Sequence, residues 1–332
     1  SLPMVATNRV FFIQVEGWET HRLLSTIRTN STIHTIPKNA VVSPDAWLKP
    51  PNKMTKLFSD CPQAIQNSLR IAEQCQVDLS IGKIKLPPFD VPEGETAFSF
   101  LEKLAWKGAK KLYRSFTTAV QERLSFELGI IRKLSLASYF LVVWDIIKEA
   151  HRRGILTVGR GSAANSLVCR TLGITEVDPI HHNLYFERFL SLERADCPDI
   201  DIDFPWNRRD EMLDYVFKKY GHKNVALIST HIHLRGRSTL REVGKAMGIP
   251  TPEINAFTSK LPHFAKLSEL KEIQERVPEC RELPIEDEPY RSMIRWSRKI
   301  EGFPRHLSIH CGGIVVSPDP ITDTIPLQKT PK

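Results

Sequence analysis

The chain has 332 residues, 41% of them apolar and 25% charged, a balance that excludes wholesale disorder. No apolar run approaches the ~20 residues that a bilayer span needs. The N-terminus carries no charged segment followed by an apolar core and a cleavage site, so a cytoplasmic protein without a membrane partner is expected. A net charge of +8 favours a polyanionic partner, with a merely soluble basic surface as the alternative.

The length leaves room for two or three domains. Cys61, Cys75, Cys169, Cys197, Cys280 and Cys311 lie far apart with no CxxC pair. That spacing argues against a zinc site or a disulfide framework and predicts reduced, mostly buried thiols. The chain starts at Ser1 and finishes in "LQKTPK", and either end is compatible with a cut edge.

In chain order, "MVATNRVFFIQV" is strand-like and "WETHRLLSTIRTN" has helical spacing, followed by a polar, proline-containing loop, "TIPKNAVVSPDAWLKPPN". Residues Pro62 to Cys75 read as an amphipathic helix with proline in its first turn. The prolines of "IKLPPFDVPEGET" hold the next stretch extended. Helices then dominate to about Arg153, and "SYFLVVWDIIKEAHRR" is apolar almost all round before turning basic, as in a buried helix with cations at its C-terminus. In "ILTVGRGSAANSLVCRTLG" a β-branched strand, a glycine loop and a helix succeed one another. Helices rich in Lys and Arg are predicted between Arg209 and Gly248, and polar helices broken by Pro262, Pro278 and Pro284 from Thr251 to Glu301. Within "HCGGIVVSPDPITDTIPL", Ile314 to Val316 reads as a core strand.

Two motifs carry chemistry. In "CPDIDIDFPW" the period-2 pattern of a strand places Asp199, Asp201 and Asp203 on one face, neighbours about 7 Å apart, with Ile200, Ile202 and Phe204 facing the core. Aspartate is disfavoured in strands and three like charges repel, so divalent cations are expected there, as two-metal phosphoryl transfer requires. A half-exposed strand with solvated carboxylates is the plainer alternative. In "VGRGSAANS", Gly159 and Gly161 permit a tight turn, Ser162 offers a hydroxyl, and the amides opening the following helix could face a phosphate. This is neither a Walker loop nor a dinucleotide fingerprint, and a simple strand-to-helix turn is the alternative. Arg188 in "FERFL" could reach a triphosphate or pair with Glu187 or Glu193. Most basic residues on the later helices are expected to be solvated, with a few, among them Arg209, Arg237 and Arg241, available to a nucleic-acid backbone. His306 and His310 flank a turn and lack a third partner for a metal.

The run from "SYFLVVWDIIKEAHRR" through "GRGSAANS", "FERFL" and "PDIDIDF" resembles the palm of bacterial C-family DNA polymerases, the polymerase III α subunits. The likeness continues through "RRDEMLDYVFKKYG", "RSTLREVGKAMGIP" and "HCGGIVVSPDPITDTIPL", and back through "LFSDCPQAIQNSLRIAEQC" to "LPMVATN", almost the whole chain. It implies a mixed α+β fold: a polymerase-β-like nucleotidyltransferase palm with a helical thumb and flanking helices. The implied divisions are the end of a polymerase-and-histidinol-phosphatase domain (1–60), the palm with connecting helices (61–230), the thumb (231–301) and a return into the palm (302–332). By the same match Gly161, Ser162 and Arg188 bind the triphosphate, Asp199 and Asp201 are catalytic and hold two Mg2+ ions, and Asp203 supports them. The implied partners are dNTP, primer-template DNA and other replisome subunits.

The likeness also has gaps. The family's third catalytic aspartate is expected just past Lys332, so this stretch alone is expected not to extend a primer. Where metal-binding versions of the N-terminal domain read Asn-Asp-x-His, this chain has Asn8, Arg9, Val10 and Phe11, and no exonuclease site is predicted. Two other readings stay open: a non-catalytic DNA-binding remnant that keeps the palm fold, and a free-standing nucleotidyltransferase completed by Asp319 or Asp323.

Overall fold

The computed structural model describes residues 3–78, 85–193 and 198–329. The fold is mixed α+β: among the described residues, twelve α-helices and two two-stranded sheets. The chain forms two compact units, one of Ser1–Asp78 with Ser229–Ile309, the other of Leu79–Ile228 with His310–Lys332.

The second unit is built on helices α4 (Ala97–Leu112), α5 (Thr118–Lys133), α6 (Ala137–Arg152) and the short α7 (Leu167–Thr171). Local sequence starts these helices where they begin. Thr96 and Ser99 form a reciprocal capping box on α4, and the Thr117 hydroxyl accepts from the Val120 amide on α5. Their apolar stripes converge: Leu101, Ala105 and Ala109 meet Leu124, Leu128 and Ile131, then Phe140, Leu141, Leu167 and Val168. Packing is close enough that a Cβ on Gly108 of α4 would lie 2.1 Å from the Thr171 carbonyl oxygen of α7. At the end of α6, Arg152 and Arg153 both donate to Glu149 at 2.7 Å, closing the helix with cations on its negative pole.

Strands β1 (Val158–Arg160) and β2 (Asp201–Asp203) form a short antiparallel ladder in this unit. Ile200 and Ile202 pack on the helical core, and Phe204 packs with Ala150, Ile155 and Met212. Met212 belongs to α8 (Arg209–Tyr220), which is tied to α6 by Asp145.

In the first unit α1 (Gly17–Arg28), α9 (Gly236–Met247), α10 (Thr251–Lys260), α11 (Leu270–Arg276) and α12 (Tyr290–Ile300) share one core. It is centred on Leu240, Val243, Ile254, Phe257 and Met293. Helices α2 (Pro51–Leu57) and α3 (Pro62–Gln74) also belong to this unit, both with proline in the first turn. Strands β3 (Val225–His233) and β4 (Pro304–Val316) pair with each other, and the division between the units falls within both.

Several sequence expectations need correction. Residues 4–15 make no ladder: Phe12 bridges Trp47 alone, and the Ala6 and Phe11 amides are satisfied by single bonds to Ala64 and Ala46. The span between Arg209 and Gly248 is not all helix, because β3 lies within it. Ile314 to Val316 is no core strand but half-exposed ribbon at the end of β4. The thiols of the described residues are free, but only Cys169 and Cys280 are buried, while Cys75 and Cys311 are exposed. Cys197 lies outside the described residues.

Candidate nucleotide and metal site

The β1–β2 register decides which side chains meet. Arg160 pairs across from Asp201 and Val158 from Asp203, so Arg160, Asp201 and Asp203 share one face of the ladder. Immediately after Arg160 the chain turns at Gly161, whose φ of +71° suits glycine. A Cβ on Gly161 would lie 3.1 Å from Asp201 Oδ2. The glycine loop and the aspartate strand, some forty positions apart in sequence, are thus close enough that a side chain at Gly161 would crowd the Asp201 carboxylate.

The three aspartates are not equivalent. The ladder covers only Asp201 to Asp203, and Asp199 precedes it. Asp203 Oδ1 accepts from Arg160 Nε at 3.0 Å. That hydrogen bond, then the charges of Asp203 and Asp201, raise the Arg160 guanidinium above its ordinary pKa. Asp199 and Asp201 are exposed and make no side-chain hydrogen bond or ion pair among the described residues. Repulsion on this face is therefore partly relieved by an arginine inside the glycine motif. Sequence reasoning missed Arg160; its even spacing on the strand facing the aspartates was the available signal.

Gly161 opens a 3-10 turn, Gly161–Asn165, that delivers Ser162 and Ala163. Asn165 Nδ2 donates to the Ser162 carbonyl at 2.9 Å, steadying the turn. The Ser162 hydroxyl is half-buried and has no partner among the described residues. The expectation that amides at the start of the next helix face a phosphate is not met. The Leu167 and Val168 amides of α7 donate to the buried carboxylate of Glu127, at 2.9 and 3.0 Å, and the Cys169 amide to Ser166 Oγ. A carboxylate from α5 has taken the place a ligand would need.

Arg188 lies on a second 3-10 turn, Phe186–Arg188, that adjoins the Gly161–Asn165 turn. Phe186 and Phe189 are buried on either side of it, while the Arg188 side chain is exposed and unpaired among the described residues. Arg209, at the head of α8, donates to the Cys311 carbonyl at 2.6 Å and pairs with Asp210. Arg237 and Arg241 belong to the other unit and bind into α10: Arg237 Nη2 donates to the Ser259 carbonyl at 3.1 Å and Arg241 Nε to Thr258 Oγ1 at 3.2 Å. His310 Nδ1 accepts from the Gly312 and Gly313 amides, a turn-forming role. Among the described residues no three His, Cys, Asp or Glu side chains gather as a metal-ligand cluster, and no helix is long and apolar enough to cross a membrane.

Residues 99–332 match the family model described as bacterial DNA polymerase III alpha NTPase domain. The DNA polymerase III subunit alpha of Bacillus subtilis is 40% identical over 329 residues, covering 99% of this chain and 29% of that protein. An error-prone DNA polymerase of Symbiobacterium thermophilum is 38% identical over 331 residues, covering 100% of this chain and 30% of the relative. An error-prone DNA polymerase of Bradyrhizobium is likewise 38% identical. The chain spans about three tenths of the length of the curated relatives it matches.

Proposed function

This chain belongs to the bacterial DNA polymerase III alpha NTPase domain family, and we propose that within it the β1–β2 ladder holds a magnesium-complexed deoxynucleoside triphosphate for template-directed DNA synthesis. The observation that carries this reading is the close approach of the Asp201 carboxylate to the Gly161 turn, where a Cβ would lie 3.1 Å from Oδ2. A turn with no Cβ and a free hydroxyl stands beside the unpaired Asp201 carboxylate, with Asp199 two residues before it on the same segment. That juxtaposition suits a ligand bearing both phosphates and a hard cation.

Asp199 and Asp201 would hold Mg2+, their oxygens being the donors such an ion prefers. Bound there, the metal would neutralise phosphate charge and favour an ionised hydroxyl nucleophile. The protein's own contributions are assigned residue by residue. Gly161 lets a phosphate approach the backbone, Ser162 donates its hydroxyl to it, and Arg188 supplies a guanidinium on the adjoining turn. Arg160 keeps Asp203 engaged, leaving Asp201 to the metal. The polyanion matching the net charge of +8 is proposed to be primer-template DNA, with Arg209 as a candidate backbone contact in the unit that holds the β1–β2 ladder. Two carboxylates bind but do not complete a two-metal clamp, so nucleotide binding rather than primer extension is the activity assigned to this stretch.

Calorimetric titration with Mg2+ and a dNTP tests the reading. A metal-dependent binding heat is expected, weakened by about tenfold or more in Asp201→Asn, the scale of losing a metal-site contact. A chain that binds DNA but gives no such heat would be a non-catalytic relic of the palm, and the proposal would fall.

A further inference from the structure

Glu127 of α5 is fully buried, at 0% exposure. Each carboxylate oxygen accepts two hydrogen bonds. Oε1 takes Arg123 Nε at 2.6 Å and the Leu167 amide at 2.9 Å; Oε2 takes Ser166 Oγ at 2.8 Å and the Val168 amide at 3.0 Å. Burial pushes the carboxyl's pKa up, against the pull of Arg123 and the two amides. All four partners donate, so the network is complete only around the ionised form.

Arg123 extends the network in two directions. Its Nη2 donates to the Asn165 carbonyl at 2.9 Å and to the Leu184 carbonyl at 3.0 Å. Asn165 closes the turn that carries Gly161 and Ser162, and Leu184 lies just before the turn that carries Arg188. One ion pair, its glutamate fully buried and its arginine partly exposed, thus grips both turns. Stability is a weak reason for such a pair, because well-packed apolar residues of similar volume often do as well or better.

We propose that Arg123 and Glu127 are positioning residues of the nucleotide site. They fix the separation of Ser162 from Arg188 and so set triphosphate affinity without touching the ligand. The inference rests on the triphosphate reading given above. It also explains why the α7 amides are absent from the cradle: they anchor the brace that holds it.

The experiment titrates the intact chain with Mg2+ and dATP, comparing wild type with Glu127→Gln and Arg123→Lys. Glutamine keeps the volume but turns an NH2 toward groups that already donate. Lysine keeps the charge but loses the planar fork that reaches both carbonyls. Each variant is expected to bind roughly tenfold more weakly, as supporting residues behind a ligand site do. Asp145→Ala, which destabilises the same unit away from both turns, is expected to keep the wild-type dissociation constant. If the variants lower the melting temperature yet bind like wild type, the pair is only structural and the inference is overturned while the nucleotide reading stands. Should Glu127→Gln fail to fold, Arg123→Lys decides by the same criterion. A wild-type chain that binds no dATP overturns both.

Discussion

Gly159→Ala is expected to destabilise the unit that holds the β1–β2 ladder by about 3 kcal/mol, the upper end for a group forced into a filled site. A Cβ at this position would lie 1.9 Å from the Ile174 carbonyl oxygen and 2.8 Å from its carbon, both backbone atoms without a rotamer to yield. Thr175 Oγ1 also donates to the Gly159 carbonyl at 3.2 Å, pinning the strand against that segment. Relief requires β1 to retreat, which breaks its pairing with Ile202 and draws Gly161 away from Asp201. The midpoint of thermal unfolding should fall by roughly 6–12 °C. A variant melting within a degree of wild type would mean that the strand does not pass so close to Ile174.

Asp145→Ala is expected to cost about 2–3 kcal/mol. Asp145 is 9% exposed and accepts from Lys219 Nζ at 2.6 Å, Tyr215 Oη at 2.7 Å and Tyr220 Oη at 3.3 Å. Its loss leaves two partly buried phenols without their acceptor, each costing on the order of 1 kcal/mol or more. Lys219 is partly exposed and can turn to water, so the penalty stays below that of a fully buried broken pair. The cluster joins α6 to α8. A second readout follows from electrostatics. Burial first, then the Asp145 carboxylate, raise both tyrosines above the ordinary phenol range. In the variant the carboxylate contribution disappears, and the alkaline absorbance change of these phenols should begin at lower pH. An unchanged titration would show that Asp145 does not face them.

Much of this arrangement is legible in sequence wherever one element carries its own signal. The alternation of aspartate and isoleucine predicts a strand with Ile200 and Ile202 inward, and both pack on the core. The succession of strand, glycine turn and helix after Gly154 is present at the expected residues. What escapes sequence reading depends on partners far along the chain. β3 pairs with β4, and most of its residues are half-exposed or exposed, so no burial period marks it as a strand. Residues 4–15 have β-branched composition but no neighbouring strand to complete a ladder. The α7 amides resemble a free anion site until Glu127, some forty residues earlier, is seen to occupy them. Arg160 lies inside the glycine motif, and only the β1–β2 register brings it to Asp203.

The union of the Gly161 turn and the Asp201 strand in one metal-nucleotide site is tested most directly by iron-mediated cleavage. Fe2+ replaces Mg2+ in the presence of dATP, and ascorbate with peroxide then cuts the backbone beside the bound ion. Two cuts are expected, one at the Gly161–Ser162 turn and one at Asp199 to Asp201, both suppressed by excess Mg2+ and both lost in Asp201→Asn. Cleavage elsewhere, or a cut at the aspartates with none at the glycine turn, would contradict a shared site.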